Sequence, residues 1–295
     1  MIFLINTLQQ TLLFLPLAFG VYVSYEILLV TDLTVEGTFV LGAAVFARLI
    51  TLGLNQFLCG VLALLCGALI GISVTLMQRI AKINSLIAGI LATFMLYSVN
   101  FGVMDKPNIG LLDENIFLQY LQNYHSNLLL AFLVLLTLTL TLILTLFLNS
   151  QLGLQLRAFG CNPQLLKKLG KNPAIYLGIG LAVSNTLSAL CGVLTAQLNG
   201  YADIHMGVGM ALTAIGAVVI GKKIISQFTR TTFNPLIGLL SCFTGAFIYF
   251  VILNSLLQIG VNPIYLQLLM GLALVVFLSS AHYTRQRGEL YATAE

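Results

Sequence analysis

Apolar residues run along this chain in blocks too long and too continuous for a fold that faces water. An α-helix needs about 20 apolar residues to cross roughly 30 Å of hydrocarbon. The pattern predicts spans near 5–30, 36–52, 55–78, 83–104, 127–149, 174–199, 207–221, 235–257 and 263–282. The expected fold class is all-α. It is a polytopic membrane protein of about nine transmembrane helices, with 1–295 forming one domain. The spans 36–52 and 207–221 are short, as happens where a transporter helix breaks inside the membrane.

These short spans echo one another. "TDLTVEGTFVLGAAV" (31–45) follows the first span, and "ADIHMGVGMALTAIGAVV" (202–219) follows the sixth. Each runs from a small residue and Asp through Gly into a run rich in small side chains. An odd number of spans separates them, so two such copies would face opposite ways, as inverted repeats do.

Composition agrees with the pattern. Only 7% of residues are charged and 59% are hydrophobic, against about 25% charged in soluble domains. Net charge is +4, too small for a nucleic-acid partner. The basic residues instead cluster in short connections: Arg79 with Lys82; Arg157, Lys167, Lys168 and Lys171; Lys222, Lys223 and Arg230; and Arg285 with Arg287. Counting spans puts all four clusters on one side, the cytoplasm by the positive-inside rule. The opposite loop 105–126 has Asp105, Asp113 and Glu114 against Lys106. Arg48 fits this scheme poorly, since it falls near the outer end of a span. The first apolar run is too long for the core of a cleavable signal peptide. The five cysteines form no CxxC pair, and Cys161 among the basic residues fits a reducing compartment.

The stretch "RAFGCNPQLLKKLGKNP" (157–173) is a compact polar island. Asn162 can cap a helix and Pro163 suits its first position. Gly170 can end it, with Lys167 and Lys168 in the last turn. Leu165, Leu166 and Leu169 would share one face. Two readings follow: a loop lying on the membrane surface, or a docking helix for a cytosolic partner.

The segment 157–221 resembles the core of ABC-transporter permeases of the branched-chain amino acid and ribose type. It is most similar to a subgroup labelled as tryptophan/tyrosine permeases, which "LTVEGTFVLGAAVFA" (33–47) also fits. The resemblance covers nearly the whole chain. It implies a permease subunit of an importer in the bacterial inner membrane, moving a small solute such as an amino acid. The implied partners are cytosolic ATPase subunits, an extracytoplasmic solute-binding protein, a second copy of the chain and membrane lipid. No cofactor is implied. It also implies that loop 155–173 holds a helix seated in a groove of the ATPase. Arg157, Gly160, Asn162, Leu169, Gly170 and Asn172 match the family pattern there, and Leu165 and Leu166 lie between them. Lys171 departs from it, standing where the family has an apolar residue.

Ionisable residues at mid-bilayer cost about 3 kcal/mol and default to functional readings. Asp32, Glu36 and Asp203 stand beside the short spans. Asp32 and Asp203 can cap the short helices or line the solute pathway. Ser184, Ser188 and Gln197 form a stripe on the sixth span, either for the solute or for helix–helix hydrogen bonds. His205 stands near Asp203, but no second ligand sits at metal spacing. The small residues Gly37, Gly42, Ala43, Gly207, Gly209, Ala211, Ala214 and Gly216 suit an apolar pathway wall. "GAVVIGKK" (216–223) lacks the Ser or Thr that completes a phosphate loop, so no ATP site is read there. Nothing resembles a nucleophile–base pair, so the chain alone is not read as an enzyme. The alternative is an ion-coupled secondary transporter with Asp32, Asp203 or Glu36 as carrier; a membrane scaffold is the third reading.

Overall fold

The computed structural model describes residues 2–112, 114, 116–124, 126–228 and 234–262, with isolated positions 265, 268, 271 and 272. Among these, eight helices are long and apolar enough to cross a membrane. All but four positions of the span expected at 263–282, together with Arg230, Asp113 and the basic tail at Arg285 and Arg287, lie outside the described residues.

Helix α1 (Ile2–Val21) passes into a π-helical turn, Tyr22–Ile27. The chain then doubles back through Leu29, whose φ is +53°, into α2 (Thr34–Thr51). Helices α3 (Gln56–Ile80) and α4 (Ser85–Met104) follow. The expected loop 105–126 is structured. It holds strand β1 (Asn108–Gly110) and helix α5 (Phe117–Tyr124) before α6 (Ser126–Asn149). The island is α7 (Gln151–Cys161) and α8 (Pro163–Lys168). Next come α9 (Pro173–Asn199), β2 (Tyr201–Asp203), α10 (Met210–Phe228) and α11 (Pro235–Gln258). Helices α8, α9 and α11 each begin on an Asn–Pro pair, the Asn side chain taking a backbone N–H and the Pro fitting the first turn.

Two central helices organise the bundle. Helix α9 packs chiefly on α3 and α2, and α1 packs on α9, α11, α6 and α10. The pairs α2–α3 and α10–α11 also pack on each other.

The basic clusters gather at one end of the bundle. The Arg79 guanidinium lies 5.5 Å from the Phe159 ring centre, and Lys222 pairs with Glu26. At the other end, β1 pairs antiparallel with β2, Ile109 opposite Ala202. There Arg48 finds its reason. It bonds Asp105 at 2.5 Å, so its charge is matched locally.

Several small residues expected to line a pathway instead permit helix crossings. A Cβ on Gly42 would lie 2.3 Å from the Ala189 carbonyl oxygen. Ala43, Ala211 and Ala214 are fully buried. In lipid, helices associate largely through such close backbone approach.

Candidate functional site

Helix α2 starts deep inside the bundle. Asn185 lies near the midpoint of α9, and Thr34, the first residue of α2, reaches it. Asp32 holds that helix start: Oδ1 accepts the Thr34 N–H at 2.9 Å and the Thr34 hydroxyl. Asp32 Oδ2 accepts from Asn185 Nδ2 at 2.9 Å. Asn185 Oδ1 accepts from the Thr38 hydroxyl at 2.6 Å. The Ser188 hydroxyl donates to the Val35 carbonyl at 2.6 Å. Asp32, Thr34, Thr38, Asn185 and Ser188 are all buried within the chain. Their joint geometry fixes α2 against α9.

Asn185 is the hub of this network, and the expected stripe of Ser184, Ser188 and Gln197 leaves it out. Ser184 is fully buried, and its hydroxyl has no hydrogen-bond partner. Gln197 is only partly buried, near the end of α9. Asn185→Leu is expected to cost about 3 kcal/mol, because it strips a donor from a buried carboxyl. The check is thermal unfolding of the purified chain; an unchanged midpoint would show that the network carries no stability.

Glu36 does something different. It stands in the first turn of α2, and its Oε1 accepts the Ala211 N–H at the start of α10, 3.2 Å away. The N-termini of both short helices therefore converge on one carboxylate, and helix N-termini favour negative charge. Asp203 does not cap α10. It sits in β2, accepting the His205 N–H at 2.7 Å and Asn108 Nδ2 at 3.3 Å. Gly207 lets the following turn lie on α2, for a Cβ there would come 2.5 Å from the Glu36 carbonyl.

Beside Glu36 is a small recess of about 80 Å³, lined by Thr93, Tyr97, Asn100 and His205 among others. The Tyr97 and His205 rings are 6.1 Å apart. Asn100 is buried; its Nδ2 donates to the Gly37 carbonyl at 3.1 Å, while Oδ1 has no partner. Thr93, Tyr97 and Asn100 escape the sequence reading because α4 is otherwise a plain apolar span. A lone amide within such a span was the one signal that could have found Asn100.

At the basic end, the island is tied down by its own residues. Arg157 donates to the Leu148 carbonyl at 2.9 Å. A Cβ at Gly160 would lie 2.1 Å from the Ile27 carbonyl oxygen, so α7 rests directly on the π-helical turn. Asn162 caps α8, and Gly170, with φ +71°, ends it. The three leucines do not share a face. Leu166 is 1% exposed and anchors α8 inward; Leu165 and Leu169 are 47% and 64% exposed. A helix of under two turns cannot keep positions 165, 166 and 169 on one side once one of them enters a core.

A membrane bundle with a deep-starting helix, a carboxylate where two helix N-termini meet and a tethered helix at its basic end has the parts of a transport protein. The chain belongs to the family of branched-chain amino acid transport system permease components, whose pattern matches residues 3–278. It is a multi-pass protein of the bacterial inner membrane, a transport subunit of the ABC type. It is 48% identical over 277 residues to an uncharacterized protein of Rickettsia prowazekii, covering 94% of this chain and 97% of that one. It is 31% identical over 279 residues to a tyrosine transport system permease protein of Clostridioides difficile, covering 95% and 91%. A galactose/methyl galactoside import permease of Salmonella typhimurium is 32% identical over 141 residues, covering 47% and 40%. No solved structure matches the chain.

Proposed function

We propose that this chain is the membrane-spanning subunit of an importer for a small amino acid, aromatic in character. It works as a homodimer, with ATPase subunits on its basic face and a solute-binding protein on the opposite face. One observation carries the solute class. The tyrosine permease aligns almost end to end, whereas the galactose permease aligns over less than half of either chain.

The recess beside Glu36 is too small to enclose an amino acid, and it supports this reading as one wall of a solute pathway. A carboxylate suits a solute ammonium, and the adjoining α10 N-terminus suits its carboxylate. Tyr97 and His205 offer ring surfaces. Val208, which also lines the recess, is exposed and apolar, as are Phe94 and Leu212, the sequence neighbours of Thr93 and Ala211; a second copy would cover such a surface. The ATPases would push on α8, and the Gly160–Ile27 contact would pass that push to α1. In this reading Asp32, Ser184 and Ser188 shape the scaffold, and Glu36 and His205 face the solute.

The test is uptake of labelled tyrosine by cells with and without the gene, before and after ATP depletion. Gene-dependent, ATP-dependent uptake is expected. Glu36→Gln should lower it about tenfold, the loss of one charge-assisted contact. Uptake of galactose and of no amino acid would overturn the solute reading.

A further inference from the structure

A second cavity, about 370 Å³, opens at the basic end and shares no lining residue with the recess beside Glu36. Its walls are the π-helical turn of α1, the last turns of α10 and the first turns of α11. That volume lies at the lower end of the range of small-molecule sites. It is large enough for one amino acid.

Among the described residues, two charged side chains line the cavity, Glu26 and Lys222, and they are paired. Glu26 is 15% exposed and Lys222 is 62% exposed. An ion pair with one such open member is weak and opens easily. Tyr22 lies beside them, its hydroxyl against Gly238, where a Cβ would come within 2.0 Å. Leu29, Val218, Ile225 and Ile237 add apolar surface to the lining, Val218 one helical turn from Lys222.

The lining combines a carboxylate, an ammonium and apolar surface in one cavity. An α-amino acid carries the complementary set. A cation entering the cavity would compete with Lys222 for Glu26 and leave the lysine unpaired. An anion would do the converse. A zwitterion can insert between the two and give each a new partner, so no charge is left alone.

We propose that this cavity is a second binding site, facing the cytosol, for a zwitterionic amino acid. It would be met by the solute after delivery rather than before. Its floor adjoins the coupling contact, since Glu26 is next to Ile27, on which Gly160 rests. The amino-acid class rests on the reading of the solute given above; the zwitterion selectivity rests on the cavity alone.

The chain contains no Trp, so indole emission reports an added ligand without background. The probe is L-tryptophan, and its fluorescence anisotropy is followed with the full-length chain in detergent micelles. The measurement is made in a Glu36→Gln background to silence the central recess. L-Tryptophan is expected to bind, with tryptophanamide and N-acetyltryptophan at least about tenfold weaker. Glu26→Gln and Lys222→Gln should each weaken L-tryptophan about tenfold. The exchange of Glu26→Lys with Lys222→Glu should recover binding, which separates loss of the site from loss of the fold. Equal binding of the three ligands, no binding at all, or wild-type affinity in both single variants would overturn the proposal. Failure of tyrosine uptake with this binding intact would overturn the solute reading and leave the cavity site standing.

Discussion

Leu169→Asp is expected to give a chain that reaches the membrane in normal amount and loses solute-stimulated ATP hydrolysis by at least about tenfold. The chain itself should tolerate the change. Leu169 is 64% exposed, and α8 is held by other groups: Leu166 in the core, the Asn162 cap and the Lys171 N–H on the Leu166 carbonyl at 2.9 Å. The cost falls on the partner. A carboxylate pressed into an apolar groove without a mate costs several kcal/mol. Co-purification of the ATPase with the variant and the stimulated ATPase rate are the two readouts. Leu166→Asp is the informative contrast. It puts the same charge inside the chain's own core, so it should lower the amount of folded protein. Normal ATPase association and turnover in Leu169→Asp would refute the docking role.

Gly192→Val should be the most damaging change to folding among those considered. At Gly192, α9 passes so close to α2 that a Cβ would lie 1.9 Å from the Phe39 carbonyl oxygen and 3.2 Å from the Ala43 nitrogen. Both obstacles are backbone, so no rotamer change relieves the clash. Helix α2 would have to move off α9, opening contacts around the fully buried Phe39 and Ala43. Overpacking of this kind costs about 3 kcal/mol or more. The Asp32–Asn185 network spans the same interface and would be pulled apart with it. Recovery of monodisperse protein from membranes should fall about tenfold, a conversion of about 1.4 kcal/mol already sufficing. Gly102→Ala is the matched control, because a Cβ there meets nothing within 4 Å. Wild-type recovery of Gly192→Val would mean that the α2–α9 crossing is softer than the structure shows.

The spans were legible because lipid imposes a strict rule. Every backbone polar group must be satisfied within the segment, so long apolar runs become helices. The capping of α8 was legible for a local reason as well. Asn162, Pro163 and Gly170 act on backbone groups within a few residues of themselves. Asp32 could likewise be read as the residue that holds the start of α2. Loop 105–126 was not legible as structure, because β1 exists only through its pairing with β2, more than 90 residues away. The recess residues Tyr97 and Asn100 were hidden for the same reason: a helix built for lipid gives no local sign of which turn faces a carboxylate on another helix.

By itself the sequence determined the all-α class, the two short spans, the basic end and the punctuation of the island, since each depends on local backbone chemistry or on transfer from water to lipid. Tertiary structure decided which polar residues share a site. It buried Ser188 and Asp32 in the α2–α9 interface and set Glu36 at the N-terminus of α10 in place of Asp203. It also turned Leu166 inward and left Leu165 and Leu169 outside. Those outcomes depend on how helices are rotated and how deeply they start, and rotation and depth are set by close contacts such as Gly192 on Phe39. Such contacts join residues far apart along the chain, so hydrophobic periodicity alone carries no record of them.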